Sequence, residues 1–205
     1  AHAIDALVLA CNTATAHAID DLRGSHPDLP VVGVEPALKP AAAISRSGHI
    51  GVLATRGTLG SPRYAQLLER QVTAAARAMR FSGQPCDGLA DAIERHDVRA
   101  IETLCERYLQ ALREHAGPDM DTLVLGCTHY PFAAEVLSRL CGPGVTLVDT
   151  GAAVARRTHE VLGANTFDSA VKAPPVLLSS GSPAALEQAA RRWLAVDTAA
   201  GALPA

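Results

Sequence analysis

The chain has 205 residues, 48% of them hydrophobic and 19% charged, with a formal net charge of −3. That length supports a sizeable core, as one large domain or two small ones. The mild charge and an aromatic content of 3% provide neither the basic footprint nor the stacking platform of a nucleic-acid binder. No apolar run approaches the roughly 20 residues of a membrane span.

Along the chain, short apolar, β-branched runs alternate with longer Ala/Leu/Arg-rich segments. Strands are expected near residues 6–10, 31–34, 50–54, 122–126, 145–148 and 176–179, with a short one at 80–82. Helical patterns lie near residues 15–23, 39–45, 62–78, 88–93, 98–115, 133–140, 151–162 and 183–193. Alternation of this kind implies βαβ units and a mainly parallel sheet, hence an α/β fold of doubly wound, three-layer type. Pro27 and Pro30 precede the second strand, and Gly117-Pro118 and Gly142-Pro143-Gly144 separate later elements. Residues 163–175 carry no clear periodicity and are expected to form a loop. The tail from Ala199 is expected to be loose.

The five cysteines are Cys11, Cys86, Cys105, Cys127 and Cys141. An odd count without a signal peptide argues for a reducing, cytoplasmic setting and free thiols. No CxxC pair is present, so a zinc ribbon is not expected. The chain opens without Met, in an Ala-rich segment that runs straight into the first cysteine strand. A doubly wound fold usually has structure before such a strand, so the sequence is expected to be a fragment.

Two of the cysteines stand in nearly repeated contexts. Asp5-Ala6-Leu7-Val8-Leu9-Ala10-Cys11-Asn12-Thr13 returns as Asp121-Thr122-Leu123-Val124-Leu125-Gly126-Cys127-Thr128-His129. Each copy is a buried-strand pattern that ends on a thiol and turns polar. Ligands of open α/β sheets bind at the carboxyl ends of the strands. Asn12, Thr13 and Thr15 are good capping residues, and free N–H groups at such a turn favour a carboxylate, a phosphate or a thiolate. Pro131 suits the first turn after Cys127, and His129 is close enough in sequence to polarise that thiol.

A free cysteine is often only a small buried hydrophobe, which is the preferred reading of Cys105 and Cys141. It fits Cys11 and Cys127 less well, because both are flanked by polar capping residues. Two thiols across a small substrate suit a two-base proton transfer, in which one removes a proton from one face of a carbon and the other returns one to the opposite face. A zinc site from Cys11, Cys127 and His129 lacks a convincing fourth ligand. A pyridoxal enzyme would need a Schiff-base lysine, and Lys39, the only lysine near a motif, reads as a loop residue. Thr55, at the end of Gly51-Val52-Leu53-Ala54-Thr55, either binds a substrate carboxylate or serves with Thr58 as a turn and cap residue. Glu94 is either a solvated surface residue or the group that orients a catalytic base. Asp149 or Thr150 is expected to cap the helix that follows.

These residues resemble a known family. Ala10-Cys11-Asn12-Thr13-Ala14-Thr15, Gly33-Val34-Glu35-Pro36, Gly51-Val52-Leu53-Ala54-Thr55, Gly126-Cys127-Thr128-His129-Tyr130-Pro131 and Val148-Asp149 are similar, in order, to the glutamate racemases of the aspartate/glutamate racemase family. The resemblance implies cofactor-independent interconversion of L- and D-glutamate, which supplies D-glutamate for bacterial peptidoglycan. It implies that Cys11 and Cys127 are the acid/base pair. Asn12, Thr13, Thr128 and His129 would contact or polarise the substrate, and Glu94 would assist the chemistry. His129 favours glutamate, since aspartate racemases typically carry a Glu there. The family has two α/β domains with the active site between them, here residues 1–38 plus 149–205 and residues 39–148. The expected partner is the small substrate, with no nucleic acid and no membrane; a homodimer is compatible.

The family pattern also opens with a strand ending in an Asp-Ser-Gly turn, followed by a Tyr-Gly motif, and this sequence contains neither. Without them the chain is expected to be weakly active or inactive. The rival expectations are a non-catalytic module that binds small acids or a protein partner, a racemase of aspartate or another amino acid, and a cysteine-nucleophile hydrolase or transferase.

Overall fold

A computed structural model describes residues 4–163 and 174–203. The chain divides into two compact units, residues 1–164 and 165–205.

The first unit begins with β1 (Leu7–Leu9), α1 (Asn12–Ser25) and β2 (Val31–Gly33). β1 and β2 form a parallel pair in which Leu7 faces Val31 and Leu9 faces Gly33. α2 (Leu38–Ile44) leads to β3 (His49–Ala54), α3 (Arg56–Leu59), α4 (Pro62–Ala74) and β4 (Arg80–Pro85). α5 (Leu89–Glu94), α6 (Val98–Ala116) and β5 (Thr122–Gly126) follow. A 3-10 turn at Tyr130–Ala133 then enters α7 (Ala134–Cys141), and β6 (Thr146–Val148) and α8 (Gly151–Leu162) complete the unit. The main sheet has the order β4-β3-β5-β6, and every pairing is parallel.

Alternation along the two central strands builds a core on each face of this sheet. Ile50, Val52, Ala54 and Val124 pack with Leu38 and Ala41 of α2 and with Tyr64 and Leu67 of α4. On the other face a Cβ at Gly51 would fall 2.5 Å from Met120 Sδ and 2.7 Å from Leu112 Cδ2, so β3 lies hard against α6 there. Helices on both faces of a parallel sheet are the expected three-layer α/β arrangement.

The base of β5 is pinned by a carboxylate. Asp121 accepts from Ser45 Oγ at 2.7 Å, from the Arg46 and Ser47 N–H groups at 2.7 and 2.8 Å, and from Thr122 Oγ1 at 2.9 Å. Burial pushes its carboxyl upward, but these four hydrogen bonds prevail and hold it well below the usual carboxylate range. The turn before β3 and the start of β5 are thereby tied together.

The second unit consists of β7 (Leu177–Ser179), α9 (Pro183–Leu194) and β8 (Ala200–Ala202). Ser182 caps α9 through the Ala185 N–H, and β8 runs parallel to β7.

Three expectations need correction. The tail from Ala199 is not loose: residues 200–202 form β8, and the Leu203 N–H reaches Ser179 O at 2.8 Å. The helix expected over residues 62–78 ends at Ala74, because the chain must turn to enter β4; Ala75 is extended, and Arg77 is held by the Ser45 and Arg46 carbonyls. Lys39 lies exposed in the first turn of α2 rather than in a loop. Of the two caps expected for α8, the Asp149 side chain is the one that serves: its Oδ1 accepts the Gly151 N–H at 2.8 Å. Most of the loop expected at 163–175 lies outside the described residues.

Candidate active site

Both thiols stand just past the carboxyl ends of parallel strands. Cys11 is the N-cap of α1, in an extended conformation, and its Sγ accepts the Ala14 N–H at 3.4 Å. An N-cap acceptor satisfies an otherwise unpaired amide at the start of the helix. Cys11 is exposed.

Cys127 follows β5 directly and is buried, 8% exposed. Gly126 before it fits where a side chain would not: a Cβ there would stand 2.8 Å from Leu53 O. Burial raises the Cys127 thiol; the His129 N–H counters this, Cys11 adds to it, the Tyr130 N–H counters it, and Glu94 adds to it. Two amides are thus aimed at the sulfur.

His129 bridges Cys127 to a carboxylate. Its Nδ1 lies 3.8 Å from Cys127 Sγ, and its Nε2 lies 2.8 Å from Glu94 Oε1. An ionised carboxylate only accepts, so Nε2 carries the hydrogen; in the neutral ring Nδ1 is then an acceptor turned toward the thiol. Protonated, the same ring would donate to a Cys127 thiolate. Glu94 is the last residue of α5 and His129 immediately precedes the 3-10 turn, so two separate elements set this contact.

Beside Cys11, three hydroxyls converge. Thr13 Oγ1 is 2.7 Å from Thr55 Oγ1 and 3.1 Å from Thr58 Oγ1, and Thr55 and Thr58 are 2.9 Å apart. Thr55 also caps α3 by accepting the Thr58 N–H. Thr13 lies on α1, Thr55 just past the end of β3 and Thr58 in α3, so the cluster joins the segments that leave the carboxyl ends of β1 and β3. Thr58, buried and part of this cluster, was expected only as a turn or cap residue. The Thr-x-x-Thr spacing was its only sequence signal.

Asn12 is 4% exposed, and neither its Oδ1 nor its Nδ2 has a hydrogen-bond partner. It lines a small cavity together with Thr58, Ser61 and Arg63. Thr128 is half-buried next to Cys127. Thr13, Thr55, Cys127, His129 and Glu94 are therefore linked in two hydrogen-bonded groups, one beside each thiol, while Asn12 faces inward. Cys86 and Cys105 are buried, and Cys141 is partly so. Among the described residues no three His, Cys, Asp or Glu side chains converge in a way that could hold a metal, and no helix is long and apolar enough to cross a membrane. Larger, more open surface clefts lie elsewhere, one around Glu106, Leu109 and Arg113 and another along β2, α4 and α8, and neither thiol lines them.

The sequence pattern of the Asp/Glu/Hydantoin racemase family matches residues 1–158. The chain belongs to this family. It is 46% identical over 194 residues to a glutamate racemase of Pseudomonas putida, covering 94% of this chain and 65% of the relative. It is 51% identical over 160 residues to one of Ectopseudomonas mendocina, covering 77% and 58%. The chain thus spans less than two thirds of the length of these relatives. Among solved structures, a glutamate racemase of Bacillus anthracis superposes with a TM-score of 0.79 at 28% identity, covering 98% of this chain and 74% of that one. The Escherichia coli glutamate racemase, solved with L-glutamate and the activator UDP-MurNAc-Ala, gives 0.75 at 29% identity over 95% and 72%. The family's two-domain α/β fold with mainly parallel sheets is the fold seen here.

Proposed function

We propose that this chain catalyses the interconversion of L- and D-glutamate without a cofactor. Cys11 and Cys127 act as the two bases. The thiolate on one side removes the α-proton, and the thiol on the other gives a proton to the opposite face of the same carbon. The configuration inverts, and the two sulfurs exchange protonation states. The observation that carries this reading is the line Cys127–His129–Glu94 at the carboxyl end of one parallel strand, with Cys11 just past the carboxyl end of another. The glutamate racemases among its relatives support the choice of substrate.

Within this proposal His129 holds or returns the Cys127 proton, Glu94 fixes its tautomer, and the Thr13–Thr55–Thr58 hydroxyls meet the substrate carboxylate. Thr128 and the Asn12 amide complete the contacts. The two-lobe division at residues 1–38 plus 149–205 and 39–148 belongs to the same reading, as do the role in peptidoglycan synthesis and a cytoplasmic location.

Circular dichroism of L- or D-glutamate incubated with the 205-residue chain tests the activity. Slow loss of optical signal that both cysteines are needed for is the expected result. Binding of glutamate without any loss of signal would favour a binding module, and faster inversion of aspartate than of glutamate would overturn the substrate assignment.

A further inference from the structure

α1 carries Cys11 at its first turn, while Cys127 rides on β5 of the other sheet. The angle of α1 against the β3–α3–α4 segment therefore decides where Cys11 Sγ points. α1 touches α3 and α4. At its start it is tied by the Thr13 hydroxyl to Thr55 and Thr58. A single point of attachment leaves a helix free to swing about it.

A second tie lies further along the same helix. Arg63, in the first turn of α4, donates from Nε to Glu35 Oε1 at 2.9 Å and from Nη1 to both Asp20 carboxylate oxygens at 3.2 Å. Asp20 lies eight residues beyond the first residue of α1, roughly 12 Å along the axis at 1.5 Å per residue. Glu35 follows β2. One guanidinium thus joins α4 to the helix and to the strand exit of the β1–β2 sheet. Its side chain is 24% exposed and that of Glu35 37%, whereas Asp20 is 81% exposed, so the arm to the strand exit is the better shielded and the arm to α1 the more solvated. At the very start of α1, Asn12 sits with its amide unpaired in a small cavity that Arg63 also lines.

We infer that Arg63 is a positioning residue, the second anchor of α1, which fixes the direction of the Cys11 thiol relative to Cys127. It touches neither thiol and acts through helix orientation. The inference rests on the racemase reading for its kinetic consequence but not for its structural one. Misplacing a reacting group by about 1 Å reduces a rate by as much as about a hundredfold.

Arg63→Met should therefore lower kcat for glutamate about ten- to hundredfold with little change in KM. Arg63→Lys, which keeps the charge but not the two-armed fork, should recover part of the loss, and Asp20→Asn, at an exposed site, should give a smaller fall in kcat alone. Arg157→Met, which breaks an exposed pair on α8, serves as a control and should change nothing. The same variants are examined by hydrogen exchange with mass spectrometry: Arg63→Met should speed exchange in α1 several-fold and leave α6 unchanged. If the parent chain racemises and Arg63→Met keeps its kcat, or raises KM alone, the inference fails. If the parent does not racemise, the functional reading fails, and α1 exchange alone decides: faster exchange upholds the anchor, and unchanged exchange removes it.

Discussion

The two cysteine turns share a sequence pattern, yet the protein supports them differently. Beneath Cys127, β5 is buried at every residue, lies between two neighbouring strands, and starts from the pinned Asp121. Beneath Cys11, β1 is three partly exposed residues with one partner, and the matching Asp5 is exposed. The groups beside the two sulfurs differ too. Cys127 has an imidazole and a carboxylate in line, whereas Cys11 has a helix N-terminal amide and a ring of threonine hydroxyls. A symmetric reaction does not require symmetric supports. One thiol is buried, with two amides and the His129–Glu94 pair beside it; the other is exposed, with a single helix amide at its sulfur.

The largest effect comes from removing either sulfur. Cys11→Ser and Cys127→Ser should each reduce inversion on the order of a thousandfold, because a hydroxyl is a far weaker base at neutral pH. Optical rotation of the product measures it, and a variant that kept most of its rate would break the pairing. Next in size is the relay on one side only. His129→Asn should cost about a hundredfold. Glu94→Gln should cost about tenfold, the loss of one charge-assisted hydrogen bond at an exposed site. Both should weigh more on the direction in which Cys127 changes protonation in the slow step, and equal losses in the two directions would erase the asymmetry.

Smaller effects concern stability. Asp121→Asn should destabilise the fold by about 1–3 kcal/mol in urea melts, since the amide cannot accept four hydrogen bonds. The Asp121 carboxyl is lowered in the folded state. Its contribution is therefore present above the unfolded value of about 4 and fades as the pH falls below it, and Asp121→Asn should flatten that acid limb. The buried thiols act at the other end of the scale. Burial first, with help from Cys141 and Glu106, pushes Cys105 up to about 12. The folded state then holds the proton more tightly than the unfolded one, so stability falls between about pH 9 and 12, by about 1.4 kcal/mol per pH unit for this thiol. Cys105→Ala should remove that share of the alkaline slope. The smallest effect to be read is amide exchange, which should be slower in β5 than in β1.

Much of this arrangement was legible in the sequence. Residues 122–126 are a continuous apolar run, and the strand occupies those residues. That His129 lies beside Cys127 follows from a separation of two residues. β8 was not legible, because Ala200-Gly201-Ala202 carries no β-branched or aromatic residue and its order comes from pairing with β7. α3 was missed because four residues containing Gly57 show no period. Nothing local announces Arg63, whose partners lie 28 and 43 residues away, nor the contact of Glu94 with His129 across 35 residues, which only the family resemblance indicated. Local pattern placed the thiols, and tertiary structure placed what tunes them.

The central claim is that Cys11 and Cys127 address opposite faces of one α-carbon. Proton NMR of L- and of D-glutamate in D2O, with the parent chain, Cys11→Ser and Cys127→Ser, tests it most directly. The account predicts that the parent exchanges the α-proton of both enantiomers, and that each single variant loses inversion. Any residual exchange should be confined to one enantiomer in one variant and to the other enantiomer in the second. Residual exchange of the same enantiomer in both variants, or full exchange of both enantiomers in either one, would contradict it.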